Sequence, residues 1–123
     1  MAKSGERMNT PIITLPGEDY QRVKDGKITR IICPASQRLN LKVYDWIHIL
    51  FKDTNDNVMV EIESIDFTLF KNLKLDIALK CGFNSVNDLK RDLVEKSPTL
   101  DNASRLYIYS FFVVGVSEKV GEE

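Results

Sequence analysis

Residues 41–66, LKVYDWIHILFKDTNDNVMVEIESID, decide the fold. Trp46, His48 and Leu50 alternate with Ile47, Ile49 and Phe51, the period of two that puts successive strand side chains on opposite faces. Residues 53–57, DTNDN, concentrate the side chains that stabilise turns, so the chain is expected to reverse there into a hairpin. The returning strand sets Val58, Val60 and Ile62 on one face and Met59, Glu61 and Glu63 on the other. One dry face and one wet face imply a sheet that is open to water on one side.

Working outward, Ile12 to Leu15 reads as a first strand. Pro16 and Gly17 then open a helix of about two turns. Glu18 and Asp19 lie in its first turn, where the helix dipole favours anions, Tyr20 and Val23 face inward, Lys24 lies in its last turn and Gly26 ends it. A second strand spans Ile28 to Cys33 and stops at Pro34, before the loop ASQRLN. Two helices follow the hairpin. Asn72 is placed to cap the first, LKLDIALKC, with Gly82 just past its end. In the second, Ser85 and Asp88 resemble a capping box, Val86, Leu89 and Leu93 form an apolar stripe, and Pro98 lies beyond. The last segment, RLYIYSFFVVGV, is aromatic and β-branched and reads as a long, largely buried strand. The order β-α-β-β-β-α-α-β predicts an α+β fold: a small, partly closed barrel of mixed strand direction.

The 123 residues suit one domain, expected over 11–116 between polar tails at 1–10 and 117–123. At 43% hydrophobic and 28% charged the composition is globular. No apolar run approaches the roughly 20 residues of a spanning helix, and MAKSGERMNT lacks the apolar centre of a secretory signal, so a cytoplasmic protein is expected. Cys33 and Cys81 match no metal or redox spacing and are expected to be free thiols. His48 is the only histidine and has no ligand-spaced partners, so neither a metal nor a cofactor is expected.

The net charge of −1 excludes a bulk polyelectrolyte binder, but the charge is unevenly spread. Residues 22–42 hold Arg22, Lys24, Lys27, Arg30, Arg38 and Lys42 against one acid, Asp25, whereas residues 53–66 hold five acids and no base. Lys27, Thr29 and Arg30 crowd the turn into the second strand. They are either its solvated face or an anion contact that the other four basic residues extend. Trp46, with Tyr20 and Tyr44, could stack on unpaired bases or pack at the barrel rim.

A first strand, a short helix ending in a Gly-Lys turn, a strand, and LKVYDWIHI opening a hairpin together resemble the ASCH domain, a family of PUA-like barrels. The matching stretches are DGKIT (25–29), LKVYDWIHI (41–49), DIALKCGFNSVNDLKRDL (76–93) and YIYSFFVV (107–114). The resemblance implies a PUA-like mixed barrel with a short N-terminal helix, a helix pair before the last strand, and a cleft beside the first helix. It also implies RNA as a common ligand and, in some members, amidohydrolysis of acetylated cytidine by a Lys, a Thr and a Glu. The enzymatic pattern is close to G-x-K-x-x-T-x-R. Aligned on Gly26, it meets Ile28, Ile31 and Cys33; with a one-residue deletion it meets Lys27, Arg30 and Ile32. The expected acid falls near Cys81 or Gly82, where there is no carboxylate, and Tyr44 stands where the family usually has Gly. The expectation is a non-catalytic module that binds RNA or a nucleotide through Arg22, Lys24, Lys27, Thr29, Arg30, Arg38, Lys42 and Trp46. The alternative is a divergent hydrolase acting on a modified nucleoside, such as N4-acetylcytidine, or on RNA.

Overall fold

The computed structural model describes residues 11–116, so both expected tails lie outside the described residues. Five strands form one sheet: β1 (Ile12–Leu15), β2 (Arg30–Pro34), β3 (Trp46–Phe51), β4 (Asn57–Leu69) and β5 (Arg105–Val116). The helices are α1 (Tyr20–Lys24), α2 (Leu75–Lys80) and α3 (Val86–Lys96), with single 3-10 turns at Gly17–Asp19, Ala35–Gln37 and Phe70–Asn72. The element order is the one read from the sequence.

The sheet order is β1-β3-β4-β5-β2. β1 runs parallel to β3, with Ile12 opposite His48, and every other pairing is antiparallel. The β3–β4 hairpin turns at the expected residues. Thr54 donates its hydroxyl to the Phe51 carbonyl (2.9 Å) and accepts from the Asp56 amide (3.0 Å), while Asp53 takes φ 64°. Asp tolerates that left-handed conformation better than most residues.

β4 is long because it serves two layers. Its first part pairs with β3 on one side and the end of β5 on the other; from Ser64 onward it pairs with β5 alone. Register breaks at Met59/Val60 and Ile62/Ser64 mark bulges, which bend a strand and increase its twist. The bent sheet curls around a first core of Val23, Ile47, Ile49, Val58, Val60, Ile62 and Phe111. A second core, under the helix pair, joins Phe70, Leu73, Ala78, Leu89, Leu93 and Leu106. Tyr20 packs edge-to-face on Phe51 at 5.2 Å and seats α1 on the barrel.

Three local details differ from the sequence reading. β2 begins at Arg30 rather than Ile28, because the Lys27 and Ile28 amides both donate to the Arg22 carbonyl and prolong the end of α1. Asn72 does not cap α2. It closes the preceding 3-10 turn, and Lys74 stands at the cap with no side-chain hydrogen bond. β5 is not uniformly core: Tyr109 and Phe111 are buried, but Phe112 is 45% exposed on the outer face. Ser85 caps α3 as expected, accepting from the Asp88 amide at 3.0 Å.

A candidate ligand cleft between the edge strands

β1 and β2 are the two edges of the curled sheet, and they flank a cleft of about 540 Å³. β1 is parallel to β3, and three antiparallel steps lead on to β2, so the two edges run in opposite directions. The end of β1 and the start of β2 therefore lie at the same end of the cleft, with α1 joining them.

Ile13 and Leu15 from β1, with Ile28, Ile32, Leu39 and Leu93, give the cleft largely apolar walls. Its charges sit at the two ends. At the α1 end, Asp19 and Arg22 lie three residues apart on one face and form an ion pair. Arg22 also donates from Nη1 to the Gly82 carbonyl at 3.0 Å, tying α1 to the turn between α2 and α3. Gly82 permits that approach. It has φ 96°, and a Cβ there would lie 2.8 Å from Ile28 Cδ1. At the other end, Lys96 pairs with Asp92 (3.1 Å, i to i+4 on α3), and Gln37 donates to Ser97 Oγ at 2.8 Å.

Arg30 is in a different condition. It is half-buried and lines the cleft, yet among the described residues it has neither a carboxylate within 4.0 Å nor a side-chain hydrogen bond. Its positive charge is felt at Cys81, where it partly opposes the effect of burial. Burial nevertheless pushes the Cys81 thiol up to about 12. Burial also raises the Cys33 thiol, against a backbone hydrogen bond at Leu39. Both thiols line the cleft and are protonated near neutral pH, which leaves them poor nucleophiles.

The eight residues singled out in the sequence do not converge. Arg22 and Arg30 line the cleft. Lys24 and Thr29 border a separate cavity of about 200 Å³ beside Phe112, with the Lys24 ammonium 5.8 Å from the Tyr20 ring. Lys27 is exposed on the turn and lines neither cavity. Arg38 lies over Tyr107, 5.5 Å from its ring, and donates to its hydroxyl at 3.4 Å. Lys42 is exposed; its amide donates to Asp45 Oδ2 at 2.8 Å, so Asp45 braces the turn before β3. Trp46 stands on the outer sheet face and donates from Nε1 to Glu61 at 3.0 Å. Tyr44, where the resemblance expects Gly, adopts φ 80°, the conformation a glycine would take.

Sequence reasoning missed Asp19, Gln37, Asp92 and Lys96 as cleft residues. The i,i+3 and i,i+4 charge spacings were available as signals for two ion pairs, but nothing local shows that the pairs face β1 and β2. Cys81 and Gly82, where the resemblance expects an acid, do line the cleft; its carboxylates come instead from Glu18, Asp19 and Asp92.

No family model matches the sequence, and neither does any curated protein. Solved structures do match the fold. A DUF984 protein from Enterococcus faecalis superposes with a TM-score of 0.72 at 14% identity, over 92% of this chain and 82% of that one. An ASCH domain from Lactobacillus crispatus gives 0.64 at 14% identity, over 94% and 87%. An ASCH protein from Zymomonas mobilis gives 0.60 at 16% identity, over 88% and 72%. At these identities the likeness is one of fold, and the curled five-stranded sheet with its short helices has the fold of the ASCH-domain structures.

Proposed function

We propose that this protein is a non-catalytic binding module of the ASCH/PUA-like kind, which takes a nucleotide, free or within RNA, in the cleft between β1 and β2. The observation that carries the reading is Arg30: a half-buried arginine without a carboxylate partner among the described residues, lining a cleft of about 540 Å³ with largely apolar walls. A guanidinium presents planar paired donors that suit a phosphate oxygen pair. Apolar walls suit the flat body of a base.

Binding is favoured over chemistry by the state of the other groups. Arg22 and Lys96 are engaged by carboxylates, the two thiols are protonated, and Thr29 borders the other cavity. The test is a fluorescence titration with nucleotides and short RNA on the wild type, Arg30→Ala and Lys27→Ala, followed by an assay for hydrolysed products. Salt-sensitive binding lost in Arg30→Ala and kept in Lys27→Ala, with the ligand intact, supports the module. Turnover of the ligand would instead establish the hydrolase, and absence of binding would remove the nucleotide reading.

A further inference from the structure

We infer that the cleft accepts one anionic group and no more, so that its ligand is a mononucleotide or a single strand-end nucleotide rather than a polyphosphate or an extended strand. This rests on the proposed nucleotide reading and narrows it.

The basis is the charge around the cleft. Three cations line it, Arg22, Arg30 and Lys96, and three carboxylates line it too, Glu18, Asp19 and Asp92. Two of the cations are already neutralised in place: Arg22 by Asp19 and Lys96 by Asp92. That leaves Arg30 as the one cleft cation without a carboxylate partner among the described residues, and Glu18 as the one carboxylate without a cation.

The two unpaired charges share one end of the cleft. Glu18 follows β1, Arg30 starts β2, and those strand ends lie together because the edges run in opposite directions. A first phosphate can meet Arg30. A second or third would find no further unneutralised cation and would approach the Glu18 carboxylate, and like charges repel at short range. The remaining basic residues from the 22–42 run cannot extend the contact into the cleft. Lys24 borders the other cavity, and Lys27, Arg38 and Lys42 line neither.

The experiment is calorimetric titration with the four nucleosides, their 5′-monophosphates and 5′-triphosphates, and a short single-stranded RNA. It is run on the wild type, Arg30→Gln and Glu18→Gln, with each variant's thermal unfolding recorded. A monophosphate is expected to bind about tenfold or more tighter than its nucleoside, through one charge-assisted contact. The triphosphate should bind no tighter than the monophosphate. The RNA should show a log–log salt slope near that of one phosphate, roughly −0.7. Arg30→Gln should abolish the gain from the first phosphate and leave nucleoside binding in place. Glu18→Gln, at an exposed position, should selectively improve the triphosphate. A triphosphate or RNA binding tenfold tighter than the monophosphate, with a salt slope of several phosphates, overturns the one-anion cleft while leaving nucleotide binding standing. Absence of binding by every compound overturns the nucleotide reading, and this inference with it.

Discussion

The outer face of β3, β4 and β5 and the cleft between β1 and β2 both gather polar and charged side chains, and they are built in opposite ways. On the outer face, Trp46, Glu61 and Phe112 occupy directly opposed positions on three neighbouring strands. Backbone pairing alone places them, and the contact between Trp46 and Glu61 is a local cross-strand bond. The cleft instead draws on β1, α1, β2, the α2–α3 turn and α3. Its shape depends on long-range closures such as Arg22 to Gly82, sixty residues apart. Ladder-placed surfaces should tolerate single changes, whereas a surface closed at a few points should fail at those points.

The largest effect should come from Gly82. Alanine there would hold φ 96° against the preference of an L side chain and press its Cβ on Ile28. Ile28 Cγ1 would lie 3.3 Å away as well, so the clash meets the body of the side chain and not only its tip. Gly82→Ala should cost about 2 kcal/mol in denaturant unfolding and weaken nucleotide binding by moving the Arg22 anchor. A loss below roughly 0.5 kcal/mol would show that the turn adapts and that the cleft is not closed there.

The half-buried thiol at the same turn gives the next effect, and it appears only in base. The Cys81 thiol is held up at about 12 in the folded chain, against an ordinary value of 9.0. Below the ordinary value both states keep the proton and stability does not depend on pH through this group. Between the two values the unfolded chain releases the proton and the folded chain keeps it, so stability falls as pH rises. Wild type should lose about 1 kcal/mol more than Cys81→Ala between pH ~8 and ~10. Parallel curves for the two proteins would mean that Cys81 is solvated in solution.

How much of this was legible follows the same division. The hairpin, the long last strand and the Ser85 cap were readable because each is a local pattern: a period of two, a dense turn, a side chain three residues from the amide it accepts. The basic run at 22–42 was readable as a run but not as a surface. α1 and β2 send Arg22 and Arg30 into the cleft and leave Lys27 in solvent, and that outcome depends on where β2 joins β5. The aromatic run of the last strand reads as largely buried, yet Phe112 follows the buried Phe111 directly and pairs with Glu61, so strand alternation alone puts it on the outer face. The spacings hint that Arg22 pairs with Asp19 and Lys96 with Asp92, but that both pairs face the cleft, where Arg30 has no carboxylate partner among the described residues, is invisible without knowing which helix faces cover the sheet edges.

The turn before β3 offers a smaller test on the ladder side. Tyr44 is 77% exposed, so its side chain gains little from packing, yet it holds a left-handed backbone at φ 80°. Its amide donates to the Ile62 carbonyl at 2.8 Å, which fixes the conformation. Relieving the strain is worth about 1–2 kcal/mol, and the extra chain entropy of glycine takes back roughly half. Tyr44→Gly should therefore stabilise the protein by about 0.5–1 kcal/mol, read as a raised unfolding midpoint. Destabilisation would reveal a packing role for the ring.

The smallest expected effect decides most directly between the two surfaces. Trp46 is half-exposed and its indole N–H is spent on Glu61. Trp46→Phe keeps an aromatic ring on the strand and removes only that solvent-screened bond, so stability should change by less than about 0.5 kcal/mol. Nucleotide binding should not change at all, because Trp46 does not line the cleft. Bases that stack on an exposed ring do so at about 1–3 kcal/mol each, so a sheet face that bound RNA would register Trp46→Ala, which removes the ring of the only tryptophan altogether. Weakening of nucleotide affinity by tenfold in Trp46→Ala, with Arg30→Gln unaffected, would move the binding site from the cleft to the outer face. The reverse pattern would leave Trp46 as a ladder residue and show that Arg30, rather than the exposed aromatic, marks where the ligand goes.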